Sequence, residues 1–198
     1  PGSGGALGRQ PPVSAIMRRH REASIILPPK VRFLRPKDLR AGTLARILAP
    51  TRPIHPDGTG RRQTTSAGLK RDYILSVPRG AKQRERLPLI LVFHGYKEDA
   101  DRIMQHSQLD KADAVVAFMD GVGEAWAPAP YAETTGEQDL AFVDDVLSQL
   151  EGEYSIDRTR IFAAGFSNGG GFAAFVGCQR PQAFSGIATV AGAFYQRV

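Results

Sequence analysis

The chain has 198 residues, long enough for one domain with a sizeable core. Its formal net charge of +6 suggests a polyanion partner, but the charge is unevenly placed. Residues 1–68 hold 13 Lys/Arg against 3 Asp/Glu and residues 69–198 hold 13 against 17, which excludes a basic nucleic-acid surface spread over 69–198 and confines any polyanion affinity to the first third.

Residues 1–68 also carry nine of the 14 prolines and open on Pro1-Gly2-Ser3-Gly4-Gly5. Such a composition buries too little apolar surface to offset its ordering entropy. The segment reads as a mostly disordered basic extension, with short helical turns near Ala15–Ser24 and Leu39–Leu48. It could be a flexible arm, an Arg-rich targeting segment, or sequence foreign to the mature protein. No charged start followed by a clean apolar stretch marks a signal peptide, and no apolar run is long enough to span a membrane. The single cysteine, Cys178, permits no disulfide within the chain and reads as a small core residue.

From residue 69 the pattern becomes that of a folded domain. Lys70–Val77 has strand character, and Pro78-Arg79-Gly80 turns the chain. Leu89–Phe93 is continuously apolar, as in a central strand covered on both faces. His94-Gly95-Tyr96 follows at its carboxyl end. Asp99–Leu109 predicts a helix with an acidic first turn, and His106 on it reads as a solvated or packing residue. Ala114–Met119 is a second buried strand, leaving through Asp120-Gly121-Val122-Gly123, where Asp120 reads as a turn residue with a local hydrogen bond. The loop Glu124–Gly136 holds Trp126, the single tryptophan, which either lines a substrate cleft or caps the core. Gly136–Glu151 predicts an amphipathic helix with Leu140, Val143, Val146, Leu147 and Leu150 on one face and acids on a solvated one.

The most informative stretch is Ile161 to Val176. Ile161–Ala164 reads as a buried strand, Gly165-Phe166-Ser167-Asn168-Gly169 matches G-x-S-x-G, and Phe172–Val176 reads as a closely packed helix. Strand, sharp turn and helix form the context in which this pentapeptide presents a nucleophilic serine. Flanking glycines suit a turn that leaves no room for a Cβ. The Asn168 amide at the helix N-terminus would face charge developing beside Ser167. Gly186–Ala191 is the next strand.

Four pieces together resemble the polyhydroxybutyrate-depolymerase-type esterases, α/β-hydrolases related to feruloyl and acetylxylan esterases. These are Arg71–Pro78, Leu87–Gly95, Gly165–Gly170 and Phe184–Gly192. The resemblance covers about Lys70 to Tyr195. It implies an α/β-hydrolase fold, a mostly parallel sheet flanked by helices, over residues 69–198. It implies Ser167 as nucleophile and an oxyanion hole from the amides of Tyr96 and Asn168, with His94 shaping the loop and Asp139 structural. It also implies a polyester or a polysaccharide ester as substrate, no metal or organic cofactor, and export from the cell.

One departure stands out. All four histidines, His20, His55, His94 and His106, precede Ser167, and no Asp, Glu or His follows it. The fold's order is Ser, then Asp or Glu, then His. The chain therefore reads as the N-terminal part of an esterase domain, truncated at its C-terminus and inactive alone. The rival reading is a non-catalytic α/β-hydrolase-like binding module.

Overall fold

The computed structural model describes residues 56–195. Six strands form one sheet: β1 (Pro56–Ser66), β2 (Leu69–Pro78), β3 (Leu87–Phe93), β4 (Val115–Met119), β5 (Ile156–Phe166) and β6 (Gly186–Val190). Three helices accompany them: α1 (Ala100–Ser107), α2 (Gly136–Glu153) and α3 (Asn168–Gln179). The sheet order is β1-β2-β4-β3-β5-β6. β4, β3, β5 and β6 run parallel, and β1 and β2 form an antiparallel hairpin at one side. This is the α/β-hydrolase architecture expected from the sequence, with α/β layering on both faces of the sheet.

β1 corrects the sequence reading, which places residues 56–66 in the disordered extension. Its composition, PDGTGRRQTTS, lacks any apolar alternation because it is a solvent-facing edge strand, a position that admits a proline and charged residues. What specifies it is its partner and its turn. Ala67 and Gly68 have φ of 47° and 77°, the left-handed pair that closes a two-residue hairpin with the twist of the flanking strands. The helical turns expected near Ala15–Ser24 and Leu39–Leu48 lie outside the described residues.

β3 is buried at every residue and sends alternate side chains to opposite layers. Leu89, Leu91 and Phe93 join the core under α2 and α3, with Val143, Val146, Leu150, Phe172 and Val176. Ile90 and Val92 join the core under α1, with Ile103, Val116 and Phe118. The first two helices begin at capping residues visible in the sequence, whereas α3 begins at Asn168, four residues before the helix expected at Phe172–Val176. The Asp99 side chain accepts the Arg102 amide at 2.8 Å at the head of α1. Thr135 and Gln138 exchange side-chain and backbone bonds in a capping box at the head of α2. Cys178 is exposed, contrary to the core position expected for it. The last turn of α3 leaves the core after Gly177, where a Cβ would collide with Ile187.

Parallel strands in this order bring the carboxyl ends of β3, β4 and β5 to one edge, where sites form in open α/β sheets. A cavity of about 440 Å³ lined by Arg62, Val77, Lys82 and Tyr154 lies elsewhere. It sits at the opposite edge, where β1 starts, β2 ends and α2 leads into β5.

Candidate active site

Ser167 occupies the turn between β5 and α3 with φ 51° and ψ −115°, a conformation that L-residues rarely adopt. Its backbone is pinned from both sides. The Ser167 amide donates to the Val190 carbonyl at 2.8 Å, and the Ser167 carbonyl accepts from Gly171 at 3.0 Å and Ala193 at 2.9 Å. The side chain makes no capping bond to the helix, so the hydroxyl is free of that duty. The two glycines of the motif are steric requirements. A Cβ on Gly165 would stand closer than 3.0 Å to the Gly169 backbone, and one on Gly169 would do the same to the carbonyls of Phe93 and His94. The elbow thus sits directly on the end of β3.

His94 follows β3 and is fully buried. Its Nε2 accepts the Gly121 amide at 2.9 Å, which leaves the ring proton on Nδ1, donated to the Gly95 carbonyl at 2.7 Å. Both nitrogens are therefore engaged with backbone. Burial pushes its pKa below the ordinary histidine range, against the Gly95 carbonyl and the carboxylates of Asp120, Asp99 and Glu98. The ring stays neutral and serves as a clamp between two loops, with no nitrogen free to take a proton from a hydroxyl.

A pH dependence follows. The unfolded chain binds a proton at His94 more readily than the folded one, so the His94 contribution to stability is full above about pH 6.5, the unperturbed value. It declines below that and is gone once the pH has passed the lowered folded-state value. The urea midpoint is expected to fall between pH 7.5 and 5.5, and the fall should shrink in His94→Gln, which can keep both bonds without titrating. Equal pH slopes in the two proteins would assign the effect to other groups.

Asp120 does not touch the His94 ring. It accepts the Ala100 amide at 2.6 Å, holding the first turn of α1, and pairs with Arg61 at 2.6 Å, a longer-range role than the local turn bond expected. His106 is exposed on α1. Neither histidine among the described residues can act as a base toward Ser167 in this arrangement.

Trp126 is a correction where the sequence left two readings. It is fully buried, stacked on Phe172 (ring centroids 4.9 Å apart, 10° between planes) and edge-on to Phe93 at 5.2 Å. It belongs to the core and does not line a cleft. The loop turns inward here because its backbone is clasped. Asn168 accepts the Trp126 amide at 2.8 Å through Oδ1 and donates to the Trp126 carbonyl at 3.0 Å through Nδ2. The Asn168 side chain, buried to 2% exposure, ties the loop to the elbow while its own amide lies among the first-turn donors that no intrahelical carbonyl accepts.

The same loop is held from beneath by a buried ion pair. Arg71 Nη1 donates to Asp139 Oδ1 at 2.9 Å, and both side chains are fully buried. Asp139 Oδ2 accepts from the Ala127 amide and the Thr134 hydroxyl, each at 2.9 Å. Burial pushes the Asp139 carboxyl upward, opposed by Arg71, the Ala127 amide and Thr134. The guanidinium also lies over the Phe142 ring at 4.2 Å. Asp139 is thus a structural residue, as the resemblance implies, but it sits inside the core and not on the solvated face of α2.

Tyr96 stands on the loop after β3, beside the elbow. Its ring, 43% exposed, packs against Tyr131 at 4.1 Å, and the Tyr131 hydroxyl bonds that of Tyr195 at 2.7 Å. Burial and the Tyr195 hydroxyl push the Tyr131 phenol upward, so it remains protonated. The exposed large apolar residues among those described are Tyr96, Phe166, Val190 and Phe194, of which Phe166 precedes Ser167 in the chain and Val190 accepts its amide. Sequence reasoning missed the Asn168 clasp and the three-tyrosine contact, because each joins residues from separate loops. Among the described residues no group of three or more His, Cys, Asp or Glu could hold a metal ion, and no helix is long and apolar enough to cross a membrane.

Known proteins resemble this chain in sequence and in fold. The profile of the family Esterase PHB depolymerase matches residues 71–197. The chain is 34% identical over 151 residues to NocK of Nocardia uniformis subsp. tsuyamanensis, covering 71% of this chain and 43% of that protein. It is 28% identical over 167 residues to feruloyl esterase C of Emericella nidulans, covering 78% and 62%. A solved structure of the ferulic acid esterase AmCE1/Fae1A of Anaeromyces mucronatus superimposes with a TM-score of 0.56 at 15% identity, covering 74% of this chain and 63% of that one. The chain spans about half the length of the curated relatives it matches. With a family profile matched from β2 to the end of the described sheet, and its G-x-S-x-G turn built as above, the chain belongs to the esterase PHB depolymerase family.

Proposed function

We propose that this fold hydrolyses carboxylic esters through Ser167. The observation that carries the reading is the Ser167 backbone, strained at φ 51° on a turn whose glycines cannot be replaced without collision, at the carboxyl edge of a parallel sheet. Strain of this kind persists only where the surroundings over-determine it, and it collects at functional sites. In the proposed reaction the Ser167 oxygen attacks the ester carbonyl carbon and loses its proton to a base. The carbonyl oxygen becomes an oxyanion facing the amides of Tyr96 and Asn168. Collapse expels the alcohol and leaves an acyl-enzyme, from which water releases the acid.

The charge of residues 69–198 is mildly acidic, which is unfavourable to polyanionic substrates and compatible with a neutral ester. Feruloyl esters are named for relatives that this chain resembles, and they stand with polyesters and acetyl esters of polysaccharide as the proposed substrates. Among the described residues no base with an orienting acid lies near Ser167, so the reaction requires a base from outside them.

The test is hydrolysis of p-nitrophenyl acetate and methyl ferulate by the full-length protein, with a fluorophosphonate probe and peptide mapping to locate the reactive serine. Turnover with the label on Ser167 is the expected result. A frame that ends at Val198, or full-length protein that neither turns over ester nor takes the label, would favour the non-catalytic binding module.

A further inference from the structure

We infer that Glu98 is a positioning residue that aims the Tyr96 amide into the site, an inference that rests on the esterase reading above. The Gly95 amide donates to Glu98 Oε2 at 3.0 Å. The Glu98 amide donates back to the Gly95 carbonyl at 3.2 Å, and the same carbonyl accepts His94 Nδ1–H at 2.7 Å. A trans peptide is planar, with its C=O and N–H on opposite sides. The Gly95 carbonyl and the Tyr96 amide belong to one such plane. Two donors on the carbonyl fix that plane, and with it the opposite direction of the Tyr96 N–H.

The plane before it is fixed as well. It contains the Gly95 amide, held by the Glu98 carboxylate, and the His94 carbonyl, which lies against Gly169 of the elbow. The residue after Tyr96 is anchored too: Lys97, at φ 60°, donates its amide to the Glu124 carbonyl at 2.9 Å. The left-handed turn at Lys97 is what lets the chain double back so that Glu98 reaches Gly95. Gly95 itself leaves room for this. A Cβ there would stand 3.0 Å from Glu98 Oε2 and 3.1 Å from Phe166 Cδ1.

A full negative charge beside a developing oxyanion opposes catalysis. Glu98 therefore acts through its geometry as an acceptor and not through its charge, and an uncharged acceptor of the same shape should serve. This separates the positioning role from both an electrostatic and a merely structural one.

The experiment compares wild type, Glu98→Gln and Glu98→Ala in the full-length protein, by amide hydrogen exchange at Gly95 and by steady-state hydrolysis of p-nitrophenyl acetate. Gly95 should be protected in wild type and Glu98→Gln and exchange freely in Glu98→Ala. Glu98→Ala should lower kcat on the order of 10²-fold, the cost of roughly an ångström of misplacement, with KM nearly unchanged, and Glu98→Gln should restore most of it. Hydrolysis that is unchanged in Glu98→Ala, or equally impaired in Glu98→Gln, overturns the inference while the esterase reading stands. Wild type that hydrolyses no ester overturns the esterase reading and the oxyanion role with it. Unprotected Gly95 in wild type overturns the inference whatever the activity.

Discussion

Ser167→Ala is expected to reduce ester hydrolysis by the full-length protein on the order of 10⁶-fold in kcat, leaving only the residual catalysis of the oxyanion donors and substrate binding, with the melting temperature unchanged. The size of the effect follows from removing the only atom that forms the covalent intermediate. The unchanged stability follows from the structure. Ser167 is held by its backbone, through Val190, Gly171 and Ala193, and its side chain caps nothing. Alanine keeps the same Cβ and therefore the same strain at φ 51°. Steady-state kinetics with thermal melts of both proteins check this. A variant that retains a tenth of the wild-type kcat would remove Ser167 from the chemistry. A variant that unfolds would instead show that the hydroxyl has a structural partner.

Asp139→Ala is expected to be the most damaging change to stability, at about 3–5 kcal/mol, because it leaves the Arg71 guanidinium buried without its counter-charge. That is a large share of the roughly 5–15 kcal/mol that holds a typical domain together. The loss extends to the site. Asp139 also receives the Ala127 amide and the Thr134 hydroxyl, so the loop that carries Trp126 and Tyr131 loses its anchor. Replacing both partners, as Arg71→Met with Asp139→Leu, removes the stranded charge and should recover much of the stability. It should not recover the loop, whose amide and hydroxyl remain without an acceptor. Urea denaturation of the two single variants and the double variant measures the coupling directly. Additive losses would mean that the pair contributes no interaction of its own.

These two residues show how differently a site and its support are written in a sequence. Ser167 was legible because its signal is local: a buried strand, two glycines two residues either side of the serine, and a helix of small residues, all within sixteen positions. The central strands were legible for the same reason, since Leu89–Phe93 and Ala114–Met119 are apolar at every position, which only a doubly covered strand requires. The acid at 139 was visible as a position of the family pattern. Its partner was not, because Arg71 lies 68 residues earlier on a strand that alternates imperfectly.

Trp126 and β1 mark the limits from opposite directions. An aromatic residue in a proline-rich loop is equally at home facing a cleft or a core. The Asn168 clasp, reaching across 42 residues, and the Asp139 carboxylate that takes the Ala127 amide turn it inward onto Phe172. Residues 56–66 carry the charge, glycine and threonine of a solvated segment, and they are a strand solely because β2 offers an edge to pair with and Ala67-Gly68 can turn. The amino-acid sequence by itself therefore determined the layered α/β class and the position of the nucleophile candidate, since short-range periodicity and turn chemistry carry that information, and its four motif pieces determined the family it resembles. The tertiary structure alone decided which histidine nitrogen bears the proton, which loop planes point into the site and which apolar residues stay exposed. Those properties depend on hydrogen bonds and contacts between segments far apart in the chain, to which no local pattern responds.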